Sequence, residues 1–305
     1  MNWMILKGLN KIYGLIISVF IVGAAAYAGY ALWDNAQIYQ QAKDVQDQIR
    51  HLKPKDKGPS FDELRAINPD VVAWLDVKGT NIDNPVLQGK TNLTYMDKDV
   101  YGNFSLAGSL FLDTRNKADF SDHYSLIYGH NMDEHLMFGD LDLFKDKDFF
   151  KKHRKATLLI PGEKREFSVA AVLQTSAGNE EIFNPDRWKG NMGTLGNFLQ
   201  ANSKWYHAGY VQALIDHPDE MEVLSLATCS DGSTNDRTIL ILMRTKNNQP
   251  IKDEGIKSNN TIIGHGSKKT GDTQNPQFWM RMIVGIILFI VVFEGIDRLR
   301  SRKKI

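Results

Sequence analysis

One cysteine, Cys229, stands in 305 residues, at the end of Ser225-Leu226-Ala227-Thr228-Cys229. A lone thiol forms no internal disulfide, so it is either an inert buried group or a reactive one. Two other segments favour the reactive reading. Ser125-Leu126-Ile127-Tyr128 reads as a strand and runs through Gly129 into His130, while Arg237 follows the cysteine by eight residues at the mouth of a second apolar strand. A thiol, an imidazole and a guanidinium gathered at one rim meet the needs of acyl transfer. They supply a nucleophile, a proton donor and acceptor, and a cation for developing oxyanion charge.

The competing residues are weaker. His51, His123, His135, His153, His207, His217 and His265 read as surface groups, because none follows a strand and a glycine as His130 does. Arg244 lies about seven residues into its strand, far from the mouth where Arg237 sits. Asp231 and Glu181 are either substrate contacts or solvated loop acids. His123, His130, His135 and Cys229 match no compact zinc spacing, so neither a metal nor another cofactor is expected.

The elements that must position these groups are short and β-rich. Val71 to Val77, Thr80 to Val86, Ser109 to Asp113, Ser125 to Tyr128, Ala156 to Ile160, Arg165 to Gln174, Glu222 to Ala227 and Thr238 to Arg244 are β-branched or aromatic runs, most of them separated by turn residues. Eight strands with few long helices imply an all-β barrel or sandwich rather than a parallel α/β sheet. Two helical insertions are expected, His135 to Phe144 and Pro185 to about Ser203. Ser60-Phe61-Asp62-Glu63 has the form of a capping box opening a short helix that Asn68-Pro69 closes.

Both ends of the chain are apolar and basic. Residues 12–33 carry no charge, enough at ~1.5 Å per residue to cross a ~30 Å hydrocarbon core. Residues 278–296 hold only Arg281 and Glu294 as charges and precede five cations in the tail. Basic flanks place residues 1–11 and 297–305 in the cytoplasm and the middle outside. A cleaved signal peptide, with small residues around Ala24-Ala25-Ala26, is the competing reading of the first run. Between the spans lie a stalk and linker (34–59), a folded domain (60–245) and a polar tether (246–277). The net charge of +1 excludes a nucleic-acid protein built on bulk positive charge.

Several segments resemble the sortases, membrane-bound cysteine transpeptidases of Gram-positive bacteria, and among them class B. Ser225-Leu226-Ala227-Thr228-Cys229 is similar to the family's Thr-Leu-x-Thr-Cys motif, with serine for the first threonine. Tyr128-Gly129-His130-Asn131-Met132, followed by Met137-Phe138, is similar to its histidine region. Asn68-Pro69-Asp70-Val71-Val72-Ala73-Trp74-Leu75, Asn84-Pro85-Val86-Leu87-Gln88 and Gly108-Ser109-Leu110-Phe111-Leu112-Asp113 extend the likeness over roughly residues 60 to 245.

The resemblance implies an eight-stranded sortase β-barrel with short helical insertions, flanked by N- and C-terminal transmembrane helices. Pro185 to Ser203 would be the long helix between its sixth and seventh strands. Cys229 would be the nucleophile, His130 the general acid and base, and Arg237 the substrate and oxyanion ligand. Ser225, Leu226, Thr228, Asp231 and Glu181 would border the substrate. The partners implied are a surface protein or pilin bearing a sorting motif, and an amine from a pilin lysine or a peptidoglycan precursor. A C-terminal span is reminiscent of pilus-assembling members.

Two cytoplasmic ends predict that protease added to intact protoplasts digests the middle and spares short fragments from both termini. A reporter fused after Ile305 should stay cytoplasmic; a reporter found outside would remove the second span.

Overall fold

The computed structural model describes residues 3–55, 60–229 and 236–259. Eight strands form the body: β1 (Val71–Val77), β2 (Asp83–Leu87), β3 (Leu110–Leu112), β4 (Tyr124–Met132), β5 (Lys155–Ile160), β6 (Glu163–Ser176), β7 (Met221–Cys229) and β8 (Asp236–Thr245). They pair in the order β8-β7-β4-β3-β2-β1-β5-β6, and β8 pairs again with β6, which closes the sheet into a barrel. Two pairs, β2 with β3 and β4 with β7, run parallel; the others are antiparallel.

Alternation along the strands sorts the apolar side chains into two layers. Leu75, Val86, Leu112, Ile127, Leu158, Val172, Leu226 and Leu240 fill the interior. Leu126, Leu173, Val223, Ile239 and Ile241 point the other way and pack beneath α5 (Met192–Asn202) and α6 (Ala208–Asp216) through Leu195, Leu199, Val211 and Leu214. Strands buried on both faces read as near-continuous apolar runs, as β7 and β8 do. A third cluster joins α2 (Phe61–Ile67) to Trp74, Leu87 and Phe111 on the outside of β1 to β3.

The helices depart from expectation. Of the long helix expected from Pro185 to about Ser203 only the later part forms: Pro185–Trp188 is a 3-10 turn, Gly190 has a φ of 73°, and α5 begins at Met192. A short helix that was not expected, α4 (Glu180–Phe183), precedes Pro185, which lacks an N–H and restricts Asn184 before it. The segment expected as helix from His135 to Phe144 begins with a two-residue strand, Leu136–Met137, and continues as a 3-10 turn, Gly139–Lys145, before α3 (Lys147–Lys152). Ser60 does precede α2, but its side chain makes no capping hydrogen bond. α6 was not expected at all.

One helix, α1 (Trp3–Arg50), takes in both the first apolar run and the expected stalk. It is the one helix among the described residues long and apolar enough to cross a membrane, and its apolar window is unburied. Its last turns are not free: Ala42, Gln46 and Ile49 are buried against the barrel. Nor is the start of the expected tether free, since Ile256–Lys257 pairs with a short strand at Tyr206 and His207. His207 is itself a correction. It is buried rather than a surface group, stacked on Phe150 and facing Asp253. Residues 260–277 of the tether and the apolar run 278–296 lie outside the described residues.

Gly139 has no room for a side chain, because a Cβ there would lie 1.9 Å from the Met132 carbonyl oxygen. Backbone cannot swing aside as a side-chain tip can, so Gly139→Ala should destabilise the domain by about 1–3 kcal/mol. That corresponds to a fall in Tm of roughly 2–4 °C per kcal/mol, read by thermal unfolding.

Candidate active site

β4 and β7 lie side by side in parallel, and their register pairs Gly129 with Thr228 and His130 with Cys229. Because the strands run the same way, both reach the same rim. The backbone of Cys229 is therefore the cross-strand neighbour of His130, although 99 residues separate them in sequence.

His130 is half-buried, with its Nε2 2.7 Å from the carbonyl oxygen of Met96. A carbonyl only accepts, so Nε2 carries the hydrogen in this arrangement and Nδ1 is left to take up or release a proton. The Met96 segment is itself held. The Tyr95 hydroxyl donates to the Asp70 carboxylate at 2.8 Å and receives a hydrogen bond from the Asn68 amide at 3.0 Å. Burial, with Asp70 adding to it, pushes the Tyr95 phenol up to about 12, so it keeps its proton.

Arg237 opens β8 beside the end of β7, with Thr175 of β6 on its other side. Its Nη1 donates to the Thr228 carbonyl at 3.1 Å, one residue before the cysteine. Its buried Nε–H has no acceptor among the described residues. A guanidinium has five N–H groups in a fixed fork, so donors remain for a further acceptor at the rim. Thr228 fastens the same corner: its hydroxyl oxygen accepts from the Thr238 N–H at 3.0 Å.

Below His130 on the same face of β4 lies Tyr128, part of a group that motif reasoning missed. Asp113 is completely buried and is gripped by Arg115, with Nε 2.8 Å from one carboxylate oxygen and Nη2 2.7 Å from the other. Tyr128 donates to the same carboxylate at 3.0 Å, and its ring stacks on Phe111 and Phe183. Arg115 also donates to the Phe183 carbonyl, which ties α4 to the rim. Burial favours the neutral acid, but the Arg115 hydrogen bonds outweigh it and hold the Asp113 carboxyl below the usual range. The Tyr128 phenol moves up, through burial first and the Asp113 charge next. Asp113 lies in one of the quoted motifs, yet nothing in its sequence neighbourhood distinguishes a buried clamp from a turn residue.

The remaining candidates fall in different places. Ser225 and Leu226 are fully buried in the barrel wall and do not reach the rim. Thr228 orients backbone. Glu181 lies in the first turn of α4, but its carboxylate is paired with Arg187 at 2.5 Å. Asp231 lies outside the described residues. Arg244 is buried at the far end of β8 between Glu163 and Glu222, as its distance from the mouth implied.

A closed barrel of this strand order, with these positions towards the ends of β4 and β7 and at the start of β8, belongs to the sortase class of cysteine transpeptidases. No family model matches the chain. Sortase B of Staphylococcus aureus is 31% identical over 143 residues, which span 46% of this chain and 58% of that protein. Sortase B of Listeria monocytogenes is 30% identical over 177 residues, 55% of this chain and 72% of that protein. Among solved structures, a class B sortase of Streptococcus pyogenes involved in pilus biogenesis superposes with a TM-score of 0.54 at 42% identity, over 60% of this chain and 96% of that one. The chain belongs to the sortase B family.

Thr228→Val keeps the shape of the side chain but leaves the buried Thr238 N–H without its acceptor. The expected loss of stability is about 1–3 kcal/mol, with Thr228→Ser close to wild type, both measured by denaturant unfolding.

Proposed function

We propose that this protein is a membrane-anchored transpeptidase that cleaves a C-terminal sorting motif of secreted surface proteins and passes the acyl fragment to an amine. The observation that carries the reading is the parallel β4–β7 register, with Cys229 and His130 as backbone neighbours and Arg237 bonded to the carbonyl of Thr228, the residue before Cys229.

In this mechanism the Cys229 thiolate attacks the scissile carbonyl carbon. The oxygen takes the electron pair and is met by the Arg237 guanidinium. His130 then gives a proton to the leaving amine as the C–N bond breaks, leaving a thioester on the enzyme. An incoming amine attacks that thioester and loses its proton to His130, and the C–S bond breaks to release the new amide and regenerate the Cys229 thiolate beside protonated His130. Water in place of the amine would make the same machinery a hydrolase.

We favour a pilin lysine over a peptidoglycan precursor as the amine. Two things support this: the 42% identical relative is involved in pilus biogenesis, and the apolar run 278–296 followed by a basic tail suits a second anchor. On this reading the protein spans the plasma membrane twice, with residues 60–245 outside and both termini in the cytoplasm. Glu181 and Asp231 are assigned to the substrate as well.

Full-length protein in detergent, incubated with sorting peptides with and without a pilin fragment, separates the outcomes by mass spectrometry. A pilin-linked product supports the proposal; a product joined only to a peptidoglycan-type amine would move the acceptor, and water-only cleavage would make the protein a hydrolase. Cys229→Ala should abolish cleavage, and retained turnover would rule out a thioacyl intermediate. Arg237→Lys keeps the charge but loses the planar fork, so kcat should fall roughly 100-fold or more with little movement of the bell-shaped pH profile. A large shift of the bell at near wild-type rate would instead make Arg237 a tuner of thiol ionisation.

A further inference from the structure

Beyond the β4 hydrogen-bond ladder, His130 is held from two sides, and both supports meet α1. The first is the hairpin that follows it. Asn131 and Met132 pair with Met137 and Leu136, and the Phe138 N–H donates to the His130 carbonyl at 2.9 Å. The turn is made by residues in the left-handed region, with φ of 58° at Glu134, 63° at His135 and 49° at Met137. None of the three is glycine, so the conformation costs energy and needs outside support to persist. The second support is the Met96 carbonyl on Nε2. It is backed by Gly108, where a Cβ would lie 2.5 Å from the Met96 oxygen and 2.8 Å from that of Tyr95.

Met137 and Gly108 line the same narrow crevice of about 30 Å³, and its other wall is α1, through Ala42, Val45, Gln46 and Ile49. Ala42 belongs to one apolar cluster with Leu136, Met137 and Phe138. One turn earlier, Tyr39 faces the hairpin. It packs against the cluster that holds Leu136 to Phe138, and partial burial, with the charges of Asp133 and Glu134 next to it, raises its phenol. α1 is fixed in this place by Gln46, which donates to the Asn81 carbonyl at 2.9 Å and the Asn84 side chain at 3.0 Å, and by Lys53, paired with Asp76 and Asp83.

We infer that residues 39–49 of the anchor helix are a positioning element for His130, so that the reactivity of Cys229 depends on α1 remaining docked. The inference rests on the proposed pairing of His130 with Cys229 but not on any substrate. Releasing α1 withdraws the backing of the hairpin at Met137 and of the Met96 carbonyl at Gly108. The imidazole then loses its orientation while the barrel, closed on itself, stays folded.

The only cysteine gives a direct readout. Full-length protein in detergent is treated with iodoacetamide across pH 5 to 9, and alkylation at Cys229 is followed by mass spectrometry beside cleavage of a sorting peptide. Ala42→Glu places a charge against the apolar cluster, and Ala42→Ser keeps the contact. The glutamate variant should lose at least fivefold in alkylation rate near neutral pH and tenfold in kcat, with KM within twofold and a displaced pH profile. The serine variant should behave as wild type.

Gln46→Ala, which removes two hydrogen bonds without adding charge, carries the test should Ala42→Glu fail to fold, and a smaller loss in the same direction is expected. Wild-type alkylation rate and pH profile in the folded variants would overturn the inference. A His130→Ala protein that alkylates as wild type does would instead overturn the proposed pairing of His130 and Cys229. The two failures are therefore distinguishable.

Discussion

The parallel pairing of β4 and β7 is the constraint on which the site depends. Two adjacent strands that run the same way end at the same rim, so a histidine at the end of one and a cysteine at the end of the other become neighbours by direction alone. β8 runs back antiparallel to β7, and its first residues therefore start where β7 stops. Arg237 arrives at the same corner without any loop having to carry it across the barrel. Had β4 and β7 been antiparallel, their far ends would lie at opposite rims and no side chain would span the distance.

Around that corner, rigidity comes from a few buried polar groups that are closely held by their partners. Asp113 is a charge removed from water, which is tolerable because Arg115 meets both of its oxygens and Tyr128 adds a third donor. Arg115 then spends its outer N–H on the Phe183 carbonyl, so one buried carboxylate fixes a strand, a loop and the insertion that carries α4. Thr228 and Tyr95 act similarly on a smaller scale, each holding a backbone segment that in turn touches Arg237 or His130. Removing one member of such a group leaves another buried and unpaired, which costs more than the contact itself contributes.

Much of the fold was legible because strands buried on both faces announce themselves as β-branched runs between turn residues. All eight predicted strands are present, and β1 runs from Val71 to Val77 as expected. β4 extends past its predicted end at Tyr128 to Met132, since Gly129, His130 and Asn131 join the ladder through backbone pairing that side-chain pattern does not reveal. The helix expected from Pro185 starts only at Met192, because Gly190 separates the opening 3-10 turn from the residues that form α5. Ala208 to Asp216 escaped notice because a short apolar run without caps does not declare its period. His207 was misplaced because its partner, Asp253, is 46 residues away. Of the site, the residues with distinctive chemistry at strand ends were legible. The Asp113–Arg115–Tyr128 clamp was not, because each member has an ordinary reading until all three are brought together.

The continuity of α1 from its apolar run to its docked turns makes it a ruler. From Trp33, the last residue of the run, to Tyr39 beside the histidine hairpin is six residues of unbroken helix, about 9 Å at ~1.5 Å per residue. With the apolar run in a bilayer, the rim that carries His130 would stand at most a short distance above the headgroups, on helix without a break between the two. An extended peptide covers that height in about three residues. On the proposed function, a peptide leaving the same bilayer would be within reach almost at once.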